Sequence, residues 1–409
     1  MADKTKGANT APLEGIKVIE ITQWAAAPGA AVILGDFGAD VVKIEHPVRG
    51  DGWRGIMSSG AIPIGDVNYP WEQDNRNKRG MTLDISNADA QEIFRKIIGK
   101  SDVFLTNLRP NELKRYHLEY ETLVQYNPKL IYANLTGYGR KGPERERPGY
   151  DYTAFWARSG FQSVIKEPDR PPIFQRGAMG DHVASIAMAC GIITALYYRE
   201  RTGVGQEVDV SLLGTGCWVL SFDIMAALVT GQYAPPRKRE EMLSMVNVYR
   251  TKDDKWIMMM HLQPDPYWPK FCKAMGIEHL VDNPEYSTLF ARLAHEAELI
   301  PMVEGIMASK TLEEWKKIMD ECGLIYAPVQ EPTEVAKDEQ AWANDNFLKF
   351  EHPILGSMTM VNNPMRLSAT PGTIRRPAPE FNQHTEEVLL EFGFDWDDIA
   401  KFKDKKLIA

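Results

Sequence analysis

The first 140 residues alternate between short apolar runs and segments in which apolar positions recur with a helical spacing. Residues 16–21 predict a strand, residues 28–37 a short helix and residues 39–45 a second strand. Further strands are predicted at residues 81–84, 102–106 and 130–135, with a helix at residues 88–98. This alternation is typical of the α/β class, and we expect a doubly wound, Rossmann-like parallel sheet.

The longest helical pattern runs from Asp181 to Arg201 and opens with Gly180-Asp181-His182. An aspartate here can cap the helix, where backbone N–H groups and the helix dipole would keep it ionised. An ionised carboxylate facing a cleft can also attack an acyl group. Capping aspartates are far commoner, so the residues alone favour the cap. His182 is adjacent, but neighbouring residues on a helix point about 100° apart and need not cooperate.

A change of pattern near Gly231 predicts a second domain. The chain forms a predicted strand at residues 206–210 and an apolar helix at residues 212–228, and then reaches a Pro-Pro-Arg-Lys-Arg stretch that is typical of a boundary. Residues 247–249 and 255–261 predict a hairpin, and amphipathic helices follow it. We therefore expect a smaller α+β domain after the boundary.

Composition and charge argue against several classes of function. The formal net charge of -9 and the isoelectric point near 5.5 provide no general attraction to nucleic acid or to an anionic membrane. The four cysteines form no CxxC pair and the eight histidines no HExxH motif, so we expect neither a disulfide framework nor a metal site. The polar start lacks the apolar core of a signal peptide, and we see no apolar run of the roughly 18 residues that span a bilayer. We expect a cytoplasmic protein.

Three basic clusters lie in loops near the ends of predicted strands. They are Lys43 with Arg49 and Arg54, the Arg-Asn-Lys-Arg stretch at residues 76–79, and Arg109 with Lys114 and Arg115. Each cluster alone is most simply solvated surface charge. Ligands of open parallel sheets, however, bind at the carboxyl ends of the strands, where basic side chains can neutralise phosphates. Asn107 directly follows a predicted strand and should face the same crevice. The first strand-to-helix turn lacks GxGxxG, which argues against a nicotinamide or flavin dinucleotide.

The stretch Pro-Gly-Tyr-Asp-Tyr at residues 148–152 precedes an aromatic helix. Asp151 can cap that helix. Alternatively, Tyr150 and Asp151 can line a pocket. The pattern leaves both interpretations open.

Ordered motifs along the whole chain resemble the class III CoA-transferases, the family of formyl-CoA transferase and carnitine CoA-transferase, which also contains the 2-methylacyl-CoA racemases. The motifs are PLEGIKVIE at residues 12–20, GADVVKIE at 38–45, NKR at 77–79, NLRP at 107–110, LTGYG at 135–139, GD at 180–181 and TGVGQ at 202–206. Residues 149–155, 180–182 and 338–345 look most like the 2-hydroxyacyl-CoA transferases of amino-acid-fermenting anaerobes, which pass CoA to phenyllactate or 2-hydroxyisocaproate.

The resemblance implies an activity and a set of site residues. Asp181 would carry the acyl group through anhydride and aspartyl-CoA thioester intermediates, and backbone N–H groups at the start of its helix would stabilise the developing oxyanions. Coenzyme A would be the substrate, with no metal or redox cofactor. The implied coenzyme contacts are Gln23, Trp24, Ala25, Ala26, His46, Lys78, Arg79, Asn107, Arg109 and Arg115, and the implied substrate pocket contains Tyr150 and Asp151.

The resemblance also implies an architecture. Residues 1–228 and 332–409 would form the large CoA-binding domain, residues 229–331 would form the small domain, and two ring-shaped chains would interlock as a homodimer. Residues 261–266 read His-Leu-Gln-Pro-Asp-Pro where formyl-CoA transferase has a mobile glycine-rich loop.

Three alternatives stay open. Racemases of this family carry His at the position of Tyr150, so one base for proton transfer at Cα would be missing here, which disfavours a racemase or epimerase. A CoA-transferase of the formyl-CoA or carnitine type is the second. The third is a non-enzymatic CoA-binding regulatory or scaffold protein in which Asp181 is only a helix cap.

Overall fold

A six-stranded parallel sheet forms the centre of the first of two compact units. The structure is a computed structural model that describes residues 10–59, 65 and 67–409. The strands are β1 (Lys17–Ile21), β2 (Asp40–Glu45), β3 (Lys78–Thr82), β4 (Val103–Thr106), β5 (Ile131–Thr136) and β6 (Gln206–Ser211). Their order is β3-β2-β1-β4-β5-β6 with parallel pairing throughout. The predicted doubly wound α/β fold is confirmed, and the strand order reverses between β1 and β4.

Helices cover both faces of the sheet because its central strands are apolar on both sides. In this unit they are α1 (Ala26–Asp36), α2 (Tyr69–Asn75), α3 (Ala88–Ile98), α4 (Pro110–Arg115), α5 (Tyr120–Leu123), α6 (Phe161–Val164), α7 (Met179–Thr202), α8 (Leu212–Val219), α9 (Ser221–Thr230), α16 (Thr385–Glu391) and α17 (Trp396–Asp404). One apolar layer contains α1 and α7, and the other contains α3, α16 and α17. A short antiparallel pair, β10 (Phe347–His352) and β11 (Gly356–Val361), completes the unit.

Helix α1 is buried along its whole length and packs closely against α7. A Cβ atom on Gly29 would lie 2.6 Å from the Ser185 hydroxyl oxygen, so a side chain at residue 29 would push the two helices apart. Among the unbroken helices in the described part of the chain, only α7 has a length and composition that would allow it to cross a membrane. This differs from the sequence expectation, although core helices of soluble proteins share these properties.

The second unit contains residues 164–173 and 234–344. Its antiparallel sheet has the order β7-β8-β9, with β7 (Val246–Arg250), β8 (Trp256–Met260) and β9 (Tyr326–Pro328). Its helices are α10 (Trp268–Met275), α11 (Leu289–Leu293), α12 (Glu296–Met307), α13 (Leu312–Cys322), α14 (Pro332–Val335) and α15 (Glu339–Ala343). The predicted hairpin is confirmed as β7 and β8. The unit overlaps the predicted small domain at residues 229–331 but extends to Asn344.

Candidate active site

Two adjoining cavities lie at the carboxyl ends of the parallel strands, where open sheets bind ligands. The first has a volume of about 370 Å³ and is lined by residues 21–23, 44–46, 49–52, 83–86, 108, 112 and 116. The second has a volume of about 420 Å³ and is lined by residues 23, 24, 26, 107–109, 112, 135–137, 145, 147–150, 181 and 212. Gln23, Leu108 and Glu112 line both cavities, so the two form one elongated cleft.

Asp181 lies in the wall of the second cavity, but it is not the helix cap. Helix α7 begins at Met179, and Ala178 is its N-cap residue, with a left-handed φ of 67°. The expectation that the helix starts at Asp181 is therefore wrong by two residues. As the third residue of α7, Asp181 has its carboxyl group free to face the cavity.

The side chain that caps the start of helix α7 is that of Asp151, not that of Asp181. Asp151 opens a π-helical turn, Asp151–Ala157, and its Oδ1 accepts a hydrogen bond from the Gly180 N–H at 2.9 Å. The His182 N–H donates to the Ala178 carbonyl at 2.9 Å. The N–H groups of Gly180 and His182 are thus already bonded within the protein, and the expected stabilisation of oxyanions by the helix start stays a prediction.

The carboxyl group of Asp181 is held in an electrostatically unfavourable place. Burial raises its pKa to about 7, assisted by the neighbouring Asp151 and Asp74 carboxylates, whereas His182 lowers it. From the sequence we expect the helix start to keep this group ionised. Desolvation and like charge outweigh that effect here.

Asp74 pairs with His182 beside the cavity. His182 Nε2 lies 3.0 Å from Asp74 Oδ1, and the Trp53 indole N–H donates to Asp74 Oδ2 at 3.0 Å. Burial alone would lower the pKa of His182, but the hydrogen bond and charge of Asp74 outweigh it and the pKa is raised. The pair therefore favours an imidazolium next to Asp181. Asp74 has no local sequence signal for this role, because only the packing of α2 brings it next to His182.

Comparison with known proteins identifies the family. The family model for CoA-transferase family III matches residues 13–385. The chain belongs to this family. Among similar curated proteins, the transferase is 34% identical to (R)-2-hydroxy-4-methylpentanoate CoA-transferase of Clostridioides difficile, over 97% of this chain and 99% of that protein. It is 33% identical to cinnamoyl-CoA:phenyllactate CoA-transferase of Clostridium sporogenes, over 98% of each chain. A solved CAIB/BAIF family protein from Brucella suis matches with a TM-score of 0.82 and 27% identity, covering 94% of this chain and 100% of that one.

Three of the four residues in the Gln23–Ala26 turn of the transferase line the cleft. Gln23, Trp24 and Ala26 line the second cavity, whereas Ala25 is buried beneath it. Tyr150 also lines this cavity, and its ring meets that of Trp24 edge to face at 5.9 Å. Asp151, predicted for the same pocket, is buried as the α7 cap and is not part of the wall.

His46 lines the first cavity, while Asn107 and Arg109 line the second. The Nδ1 of His46 accepts hydrogen bonds from the N–H groups of Val48 and Arg49, at 3.1 and 3.3 Å. Burial and the charge of Arg49 lower its pKa, which favours a neutral ring whose Nε2 carries the hydrogen. Arg109 is exposed and pairs with Glu112.

Lys78 is fully buried and lies outside both cavities. Its Nζ contacts Glu20 at 2.8 Å, the Pro28 carbonyl at 2.9 Å and Asn75 at 3.0 Å. Burial lowers its pKa to about 8. A side chain with these contacts holds β1, α1 and β3 together, so we do not include it among the proposed coenzyme contacts.

Arg79 and Arg115 also lie outside the two cavities. Arg79 is buried, and three carboxylates hold its guanidinium, those of Asp40 at 2.7 Å and of Glu387 and Glu391 at 2.8 Å. Arg115 is exposed and lies against the ring of Tyr116. We leave both out of the proposed contacts.

Several lining residues were not predicted. Residues 83–86, at the carboxyl end of β3, line the first cavity, and Arg145 and Arg147 line the second. The charged run Glu-Arg-Glu-Arg at residues 144–147 was the available signal for the two arginines. Among the described residues, no group of three or more His, Cys, Asp or Glu side chains is placed to hold a metal ion.

Proposed function

We propose that the transferase moves CoA from an acyl-CoA or enoyl-CoA to a 2-hydroxy carboxylic acid, and that Asp181 carries the acyl group. The observation that carries this proposal is the Asp181 carboxyl group in the wall of a cavity that adjoins a second one at the carboxyl ends of the sheet. CoA is long and bears phosphates at one end and a thiol at the other. An elongated cleft with a single aspartate in one half suits such a substrate.

The chemistry would proceed in four balanced steps. The Asp181 carboxylate attacks the donor thioester, the C–S bond breaks, and a mixed anhydride forms with release of CoA thiolate. The thiolate attacks the aspartyl carbonyl and displaces the donor acid, which leaves an aspartyl-CoA thioester. The acceptor carboxylate attacks this thioester, forming a second anhydride and releasing thiolate. The thiolate then attacks the acceptor carbonyl, which yields the new acyl-CoA and frees Asp181.

The raised pKa of Asp181 supports this role. A carboxylate of higher pKa is a stronger nucleophile, and burial near Asp151 and Asp74 disfavours its charge. Acylation replaces that charge with a neutral group, so the covalent intermediates relieve a repulsion present in the free enzyme. With a pKa of about 7, a substantial part of the free enzyme still carries the reactive carboxylate at neutral pH.

The walls of the second cavity support an acceptor acid with an apolar side chain. Trp24, Leu135, Tyr150 and Leu212 supply apolar surface. Arg109, Arg145 and Arg147 supply guanidinium groups of the kind that bind carboxylates. The two curated relatives act on acids of this kind, with an aliphatic or an aromatic side chain by their names.

We also propose a homodimer in the cytoplasm. Helices α8 and α9 expose Trp218, Phe222, Leu228 and Val229 at 81%, 92%, 75% and 76%. Apolar surface of this extent is typical of an interaction site, and a second copy of the chain is the occupant that the resemblance implies. The four cysteines are free thiols, which suits a reducing compartment.

The decisive experiment combines a substrate panel with the Asp181→Asn variant. The wild-type protein should transfer CoA from an acyl-CoA only when a 2-hydroxy acid is added, and the variant should bind CoA but transfer none. Asp398→Asn is the matched control, since Asp398 is likewise the third residue of its helix and lies outside both cavities. Deuterium entry at Cα without any acceptor would indicate epimerisation instead. Thermal stabilisation by CoA with no exchange on any acid would indicate a binding protein.

A further inference from the structure

The turn that joins the two cavities has an unusual backbone conformation. Gln23 lines both cavities, and Trp24, the next residue, has a φ of 67°. Bulky side chains rarely adopt this left-handed region, and such residues persist only where their surroundings hold them. Side chains from two other segments, Asn107 and Asp51, hold this turn.

The side-chain amide of Asn107 forms hydrogen bonds with both the N–H and the carbonyl group of Gln23. Its Oδ1 accepts the Gln23 N–H at 3.1 Å, and its Nδ2 donates to the Gln23 carbonyl at 2.8 Å. The resemblance implies that Asn107 contacts the coenzyme. In this structure, however, one donor and one acceptor of its amide are already bonded to the turn.

Asp51 binds the next residue of the turn. Its Oδ1 accepts the N–H groups of Trp24 and Trp53 at 3.1 and 2.9 Å, and its other oxygen lies 2.8 Å from Lys43 Nζ. The Asp51 N–H donates to Glu45 at 2.9 Å. Both Asp51 and Lys43 are buried, so this carboxylate is fixed from three sides.

The Trp24 ring is held as firmly as its backbone. It packs edge to face with Trp53 and with Tyr150, each at 5.9 Å. A Cβ atom on Gly52 would lie 2.8 Å from the Trp24 ring, so the residue after Asp51 has to be small. Residues 51–53 thus contact both the backbone and the side chain of Trp24.

We infer that Asp51 and Asn107 are positioning residues for acyl transfer. Together they clamp the Gln23–Trp24 turn in a strained conformation, and this conformation places Gln23 in the walls of both cavities and Trp24 in the wall of the cavity that Asp181 lines. The inference rests on the proposed function for its effect on catalysis, but the clamp itself is a property of the free protein.

The test uses Asn107→Leu, which removes both bonds at nearly constant volume, and Asn127→Leu as the matched control. Asn127 also binds backbone with both ends of its amide, through Nδ2 to the Ser101 carbonyl at 2.6 Å and through Oδ1 to the Lys129 N–H at 3.0 Å, and it lines neither cavity. Asn107→Asp keeps the acceptor and loses the donor, so it should give an intermediate effect.

Amide hydrogen exchange of the free variants measures the clamp directly. In Asn107→Leu the Gln23 and Trp24 amides should exchange at least about tenfold faster than in the wild type, while Asn127→Leu leaves them unchanged. Asp51→Ala, which removes the acceptor of the Trp24 N–H, should likewise speed exchange of the Trp24 amide, and unchanged exchange there would exclude Asp51 from the clamp. Unchanged exchange in Asn107→Leu would overturn the inference.

Steady-state kinetics then measures the consequence. A displaced turn should lower kcat of Asn107→Leu by roughly 10- to 100-fold, with KM for the acyl-CoA changed by less than about threefold. A loss confined to KM would instead mean that Asn107 contacts the coenzyme directly, and an equal loss of kcat in Asn127→Leu would mean general destabilisation. Either result refutes the positioning role. If the wild type transfers no acyl group, the proposed function fails, whereas the exchange data still decide whether the clamp exists.

Discussion

The Asp181→Asn substitution should stabilise the protein above pH 7 and have almost no effect near pH 4. In the folded state the pKa of Asp181 is raised to about 7, whereas an unfolded chain gives an aspartate about 3.9. Between these values the folded state binds the proton more tightly, so the free energy of unfolding falls as pH rises from about 4 to about 7, and is constant beyond. Asparagine carries no charge at any pH and escapes this loss.

The size of the effect follows from the pKa shift. About three pKa units correspond to about 4 kcal/mol at most, and since the side chain is partly exposed, solvent reduces the figure. We therefore expect Asp181→Asn to gain about 2–3 kcal/mol at pH 8, which corresponds, at about 2.1 cal/mol/K of unfolding entropy per residue, to a rise in Tm of about 2–4 °C for a chain of 409 residues. The sign is typical of an active-site residue that is retained at a cost in stability.

The assay is thermal unfolding of both proteins from pH 4 to pH 9 without substrate. The difference in Tm should grow with pH and level off near pH 7. Asp398→Asn, a substitution at the same helix position that removes a surface ion pair with Lys401, should change Tm by about 1 °C or less at every pH. A gain for Asp181→Asn that is equal at pH 4 and pH 8, or a loss of stability at pH 8, would refute the electrostatic account of the site.

Three further predictions concern the same helix and its exposed neighbours. The kcat/KM of the wild type should rise with pH up to about 7 and then stay constant, because only ionised Asp181 attacks. His182→Gln should shift this rise to higher pH, because the charge of His182 lowers the pKa of Asp181. An unshifted rise would mean that the charge of His182 does not affect the pKa of Asp181. Gly180→Ala should lower the free energy of unfolding by about 1–3 kcal/mol and lower activity, because the added Cβ atom would overlap residues of the π-helical turn. Gly305→Ala is the control and should be neutral or stabilising, because Gly305 lies in open space on α12. Equal losses of stability in the two variants would contradict this packing. The wild type should sediment as a dimer, and Phe222→Glu should weaken its association so that a monomer fraction appears in sedimentation velocity at low concentration. A wild-type monomer or an unchanged variant dimer would contradict the proposed interface.

The sequence predicts the sheet well because its signal is local. The predicted strand at residues 39–45 and the predicted helix at residues 88–98 agree with β2 and α3 to within one residue. Apolar spacing sets such elements directly, since each must bury one or two faces. The same reasoning assigns the cleft to the carboxyl ends of the strands, where both cavities lie.

Interactions between distant residues account for what the sequence could not predict. The strand predicted at residues 81–84 is β3 at Lys78–Thr82, so Lys78 and Arg79 were expected in a ligand-binding loop although both belong to a buried strand. Charged residues are seldom predicted inside a sheet, because their burial requires partners that the local sequence does not show. The capping of α7 by Asp151 is a contact across 29 residues, and no local pattern reveals it.

The central claim is that Asp181 becomes covalently acylated, and trapping tests it most directly. The protein is incubated with an acyl-CoA donor, quenched with hydroxylamine or borohydride, digested and analysed by mass spectrometry. We predict a hydroxamate or a reduced side chain at Asp181, and none in the Asp181→Asn variant treated in the same way. Active transfer with the label on another residue, or with no labelled residue, would contradict the account.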